Sequence, residues 1–298
     1  MKLRHSSRLA IVALLVLALV AVGVTAGCSK PKEITLAFVP SDKTDTVITN
    51  AKPLKDYLEK EMGVKINLKV PSDYTATIQA LKTGQADFAA IATLAYVIAK
   101  EETGAQLLYK SVRFGSSDYR GQITIRAEDK DKIKSIADLK GKTVAITDTV
   151  STSGYLFPLM KLKKAGVDYQ DQKQLKILEA GSHPAALIQL YQKKVDAAFS
   201  YEDARDALVK DYPDVKTKLI PLDYTDKIPN DTIVARKDLD PKLVEKFKTA
   251  MNKIIAMPAD QKKAILKVYS WDDITPAKDS DYDGVRDVVK QFNYKIAK

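Results

Sequence analysis

Ser151, Thr152 and Ser153 stand in a row within "DTVSTSGYLFPLMKLKKAG", and no lysine or arginine accompanies them between residues 144 and 160 of a lysine-rich chain. Leu156, Leu159 and Met160 follow at helical spacing. Pro158 is comfortable only in a first helical turn, where its missing N–H has no intrahelical duty. A helix is therefore expected to begin just after Ser153. Its free N–H groups and the three hydroxyls would then converge, the arrangement that holds a phosphate-like anion without cationic side chains. The helix dipole supplies about 0.3–2 kcal/mol and each hydrogen bond to a charged group about 1.5–3 kcal/mol. Several together reach the roughly −8 kcal/mol of micromolar binding. An ordinary N-cap needs only one such hydroxyl, and on these residues alone that reading competes with the anion site.

His183, in "AGSHPAAL", is the one histidine beyond residue 5. It lies past the carboxyl end of the strand "LKIL", where it either faces a cleft anion or packs at the helix start before Pro184. Tyr74 and Tyr96 sit early in helices that follow strands, as cleft-facing residues would, although a tyrosine on a helix face usually joins the core.

Other chemistries fit poorly. "GKT" at residues 141–143 resembles the end of a P-loop, but the first glycine of that motif would be Ile136. "DSDYDG" begins like a calcium loop, yet Lys290 occupies the position of the bidentate glutamate, so a surface cap is the better reading. No serine lies in a Gly-x-Ser-x-Gly elbow, and one histidine with scattered carboxylates gives thin support for a metal site. No cofactor is expected.

The elements that must position these residues alternate from residue 33 onward. "ITLAFVP" reads as a strand, "NAKPLKDYLEKEMG" as a helix, "VKINLKVP" as a strand and "DYTATIQALKTG" as a helix. "ADFAAIA" and "LAYVIAKEETG" continue the series, and a second such unit runs from "YRGQITIRAED" to "VDAAFSYED". This order implies α/β architecture with mostly parallel sheets, whose ligands bind at the carboxyl ends of strands. The last segments are expected to return to the first lobe. Crossings near residues 113–126 and 219–234 would make a hinged cleft between two lobes.

The 298 residues include 45% hydrophobic side chains, ample for packed cores. Lys2, Arg4 and Arg8 precede an unbroken apolar run over residues 9–24 that ends in "VTAGC", which reads as an export signal. The pattern is similar to a bacterial lipobox, with Thr25 where leucine is usual, so Cys28 is the expected lipidated first residue of the mature chain. An uncleaved anchor is the alternative; both place the body outside the cytoplasm. Cys28 is the only cysteine, so no disulfide is expected. Without the three leader cations the formal charge falls from +10 to +7, and the bases are dispersed among acids, which argues against nucleic-acid binding.

Taken together, "STSG" with its following proline, "DYTATIQAL", "GQADFAAIATLAYVIA", "DLKGKTVAI", "GSHPAALIQLYQKKVDAAFSYEDA" and "IPND" resemble the phosphonate-binding proteins of ABC importers, a family with phosphite-, phosphate- and alkylphosphonate-binding members. The resemblance implies a type II periplasmic-binding-protein fold of two Rossmann-like lobes joined by a two-strand hinge. It implies a leader at 1–27, a tether at 28–33, a first lobe at 34–118 and 226–298, and a second at 119–225. It further implies that Ser151, Thr152 and Ser153 donate to the ligand's oxygens, joined by Tyr74 and Tyr96. His183 would lie beside the anion, and Asp203 would accept a proton from a P–OH or an amino group.

The chain departs from the family at Ala92 and Thr93, where Gly-Pro is common, and at Pro184, where some aminoalkylphosphonate binders carry an acid. A small ligand such as phosphite or methylphosphonate is favoured, with phosphate and longer phosphonates still open. The expectation is a monomeric, membrane-tethered lipoprotein that hands its cargo to the permease's transmembrane subunits and holds it without a lysine or arginine clamp. Sulfate should bind poorly. A secreted enzyme acting on a phosphorus oxyanion or phosphate ester is the rival, and a sensory domain would come fused to further domains.

Overall fold

The computed structural model describes residues 33–294. The leader, Cys28 and all of the tether except Glu33 lie outside the described residues. No helix among the described residues is long and apolar enough to cross a membrane.

The chain opens with β1 (Glu33–Phe38), α1 (Thr44–Met62), β2 (Lys65–Lys69), α2 (Tyr74–Lys82), β3 (Phe88–Ile91), α3 (Thr93–Thr103) and β4 (Gln106–Val112). A second run follows, with β5 (Asp118–Arg126), β6 (Lys142–Ile146), a π-helical turn at Thr152–Leu156 and α4 (Phe157–Lys164). It continues through β7 (Leu175–Glu179), α5 (His183–Tyr191), β8 (Ala197–Tyr201) and β9 (Leu219–Pro229). β10 (Thr232–Ala235), α6 (Pro241–Ile255), α7 (Ala259–Ile265), β11 (Asp273–Pro276) and α8 (Asp283–Phe292) complete it.

Two sheets result, in the orders β11-β4-β10-β3-β1-β2 and β7-β6-β8-β5-β9. β1 runs parallel to β2 and β3, and β6 parallel to β7 and β8. β10 is antiparallel to both neighbours, as is β5. The two mixed sheets with their covering helices are the two lobes of an α/β type II periplasmic-binding-protein fold. All four residues of β3 are buried, as a strand covered on both faces requires. α6 buries Leu243, Phe247, Ala250 and Ile254 along one stripe, stacking Phe247 on Phe88 with ring centroids 4.1 Å apart.

The chain passes between sheets twice, over residues 113–117 and at Asn230 and Asp231. β9 pairs with β5 as far as Pro229, opposite Asp118, so the second crossing falls later than residue 225. Asn230 ties the crossings together: its Nδ2 donates to the Ser111 carbonyl at 3.1 Å and the Ser116 carbonyl at 2.8 Å.

Candidate oxyanion-binding cleft

The helix start expected after Ser153 is a π-helical turn that leads directly into α4, with Pro158 in the α-helix's first turn. Ser151 is the N-cap, and its Oγ accepts from the Gly154 N–H at 3.1 Å. The N–H groups of Thr152 and Ser153 precede the first intrahelical bond and have no acceptor among the described residues. A β-carbon on Gly154 would lie 2.2 Å from Thr147 Oγ1 and 2.9 Å from Ser151 Oγ. Glycine is therefore what lets the turn press against β6's carboxyl end.

Both lobes wall a cavity of ≈ 570 Å³ in front of this turn. That size accommodates an oxyanion together with a substituent. Ser151, Ser153, His183 and Asp203, all singled out in the sequence, line it. Thr152 is buried beside them, and its Oγ1 reaches across to accept the N–H of Leu94 in α3 at 2.8 Å. Nearby, Asp148 Oδ2 accepts the N–H of Tyr74 at 3.2 Å, and the His183 N–H meets the Ser41 carbonyl at 3.2 Å. Residues of the second lobe thus cap the first turns of α2 and α3.

His183 Nδ1 lies 2.9 Å from Thr147 Oγ1. Burial first, and the positive charge of Arg113 second, hold its pKa down at about 3. The ring is neutral at physiological pH. When the Thr147 hydroxyl donates to Nδ1, the imidazole proton sits on Nε2 as an uncharged donor.

Both expected tyrosines are placed differently. Tyr74 is buried behind the cavity wall, with burial and then the Asp148 charge raising its pKa well above 10. Tyr96 does not reach the cleft at all: its hydroxyl bonds to Asp279 Oδ1 and its ring packs edge-on against Tyr282, 4.8 Å away. The buried face of α3 turns Tyr96 toward the C-terminal segment. Asp203 has a side chain 53% exposed, 3.6 Å from the Arg205 guanidinium.

Arg113, Tyr119, Tyr201, Asp231 and Tyr269 also line the cavity. The expectation of a site without arginine is corrected here. Arg113 lies in the first crossing, its guanidinium carbon 4.7 Å from the Tyr201 ring centroid and its Nε buried without a hydrogen-bond partner. Asp231 lies in the second crossing, and burial pushes its carboxyl up to about 6 against the opposing effect of Arg113. The available signal was positional: a cleft between two lobes is bordered by the segments that join them. Phe114, Asp203, Tyr269 and Ser270, all bordering the cavity, have φ of 49°, 63°, 52° and 57°. Left-handed backbone at non-glycine residues costs energy and gathers at binding sites.

The sequence profile of one family, described as the ABC transporter, phosphonate, periplasmic substrate-binding protein, matches residues 36–282. The chain belongs to that family. As one of the phosphonate-transporter binding proteins it is the substrate-binding component of an importer, working on the extracytoplasmic side. Among relatives, the phosphate-import protein PhnD of Mycolicibacterium smegmatis is 27% identical over 275 residues, spanning 87% of this chain and 85% of that protein. The phosphonates-binding periplasmic protein of Escherichia coli is 25% identical over 245 residues, 80% of this chain and 71% of that protein. PhnD1 of Prochlorococcus marinus, solved with methylphosphonate, superposes with a TM-score of 0.77 at 19% identity, covering 88% of this chain and 99% of that one. That likeness establishes the shared fold.

Proposed function

We propose that the cleft binds a phosphonate-class phosphorus oxyanion, with phosphite, methylphosphonate and phosphate as the ligands to test first, and releases it unaltered to the permease's transmembrane subunits. The observation that carries this reading is that Ser151 and Ser153, at the start of the helical turn, and neutral His183 line one inter-lobe cavity. Ser151 Oγ uses a lone pair to cap the turn, which leaves its O–H as a donor. Donors of this kind suit a tetrahedral anion at a helix start, and closure of the lobes around it gives reversible capture.

The protein acts as a monomer held at the membrane surface by lipid on Cys28. Two acyl chains or more make such an anchor durable.

Calorimetric titration with phosphite, methylphosphonate, 2-aminoethylphosphonate, phosphate and sulfate tests the reading. One-to-one binding of a phosphorus oxyanion, weakened about tenfold or more in Ser153→Ala, is the expected result. Recovery of the bound compound unchanged separates transport from catalysis; hydrolysis or transfer of the ligand would overturn it.

A further inference from the structure

Asn293 closes α8 in the left-handed conformation, with φ of 48°, which asparagine tolerates better than most residues. The Tyr294 N–H then bonds to the Val289 carbonyl at 3.1 Å and the Asn293 N–H to the Lys290 carbonyl at 3.0 Å. This is the Schellman pattern, which turns the chain sharply off its helix. It brings Tyr294 onto the loop that carries Ser151. The Tyr294 hydroxyl donates to the Thr149 carbonyl at 2.7 Å, and its ring meets the Tyr155 ring edge-on with centroids 6.1 Å apart. Thr149 stands two residues before the N-cap Ser151, and Tyr155 belongs to the π-helical turn itself. Burial first, and Tyr155 second, raise the Tyr294 pKa, so the hydroxyl keeps its proton at physiological pH.

α8 is in turn fastened to the first lobe. Tyr96 in α3 bonds to Asp279 Oδ1, and Arg286 in α8 donates to the same oxygen at 2.5 Å and to Asp283 Oδ1 at 2.7 Å. Val285 and Val288 of α8 share a core with Leu94 and Ile98 of α3 and with Phe157 of α4. The helix therefore packs against both lobes, and its end reaches the turn at the cleft. Tyr96, expected at the ligand, anchors this segment instead.

We propose that Tyr294 is a positioning residue for the oxyanion site: through the Thr149 carbonyl and the Tyr155 ring it holds the turn bearing Ser151 and Ser153 in its binding arrangement. The inference rests on the phosphorus-oxyanion reading above and deepens it. A π-helical turn is rare and less favourable than an α-turn, and Gly154 at its centre adds backbone freedom that must be lost when the turn is fixed. Its local ties are the Ser151 cap and a 3.3 Å bond from the Thr147 N–H to the Gly154 carbonyl. A brace from outside the turn fixes it beforehand, so the anion need not supply the ordering. Without the brace only a fraction of the protein has the competent turn, and apparent affinity falls by that fraction.

The test compares the wild type with Tyr294→Phe, which keeps the ring and removes the donor, and Tyr294→Ala, which removes both. Each is checked for a cooperative thermal transition, titrated calorimetrically with phosphite, methylphosphonate and phosphate, and followed by amide hydrogen exchange without ligand. Loss of one hydrogen bond should weaken binding about three- to tenfold in Tyr294→Phe, and loss of the ring contact should weaken it further in Tyr294→Ala. Stopped-flow mixing should place the loss more on association than on release, because the competent fraction limits encounter. Exchange over residues 147–156 should quicken in both variants while the strands of the second sheet keep their protection; a general loss of stability would instead quicken the strands too. Wild-type affinity in both variants, or unchanged exchange over residues 147–156, overturns this inference alone. A wild type that binds no phosphorus oxyanion overturns the functional reading, and the exchange comparison, which needs no ligand, still decides whether Tyr294 holds the turn.

Discussion

Leu94 and Thr152, 58 residues apart and in different lobes, are joined by a 2.8 Å hydrogen bond from the Leu94 N–H to Thr152 Oγ1. The hydroxyl that the sequence suggested for ligand binding thus caps the opposite lobe's helix, in a bond that spans the two lobes.

Thr152→Val keeps the shape and removes the acceptor. One buried hydrogen bond is worth about 1 kcal/mol with a further penalty for the stranded N–H, so ligand release should accelerate about five- to thirtyfold while the association rate stays nearly constant. Stopped-flow dissociation measures this; an unchanged release rate would show that the bond does not stabilise the closed form.

Gly154→Ala forces a methyl into Thr147, whose β-branched side chain cannot swing clear. Overpacking of this kind costs about 1–3 kcal/mol. Urea unfolding should report a loss in that range without a change in slope, together with weaker binding as Thr147 is pushed toward His183.

His183 and Asp231 should pull stability in opposite directions with pH. His183 has a folded pKa of about 3 against an ordinary 6.5, so its contribution is complete above 6.5 and declines toward 3 as pH falls. Asp231 has a folded pKa of about 6 against 3.8, so the fold prefers its protonated form and loses stability as pH rises from about 4 to 6. Each slope approaches 1.4 kcal/mol per pH unit, and between pH 4 and 6 they largely offset. Relative to wild type, Asp231→Asn should gain on the order of 2 kcal/mol at pH 7.5 and little at pH 4. Ligand-free His183→Gln should show stability falling with pH across the same interval. Denaturant midpoints at pH 4, 5, 6 and 7.5 separate the two; parallel curves for all three proteins would remove both assignments.

Lipid attachment at Cys28 predicts that Cys28→Ser, expressed as the full chain, loses metabolic labelling by palmitate and leaves the membrane fraction. Retention of the variant in membranes would favour an uncleaved N-terminal anchor.

The site was legible where its signal is local. Three hydroxyls, a proline in the first turn and an apolar stripe define the start of α4 within ten or so residues, and "GSHP" places His183 at the start of α5 with Ser182 as its cap. The alternation of strands and helices gave the two lobes for the same reason. Arg113 and Asp231 were not legible as a pair because their proximity depends on Asn230, whose partners are 119 and 114 residues away in sequence. Tyr96 misled because helical spacing marks a buried face without naming its partner. Here that partner, Asp279, lies 183 residues further along.

The position of β10 also sets an order in time. It occupies the interior of the first sheet, between β3 and β4, and β11 is attached only through β4. The first lobe's strands therefore lack their central member until residue 235 has been made, although the lobe begins at residue 33. The second lobe's strands are contiguous from Asp118 to Pro229. On a chain emerging from its amino end, the later-encoded lobe is the first that can finish its sheet. The earlier one stays open-edged, and so threadable, through most of synthesis and export.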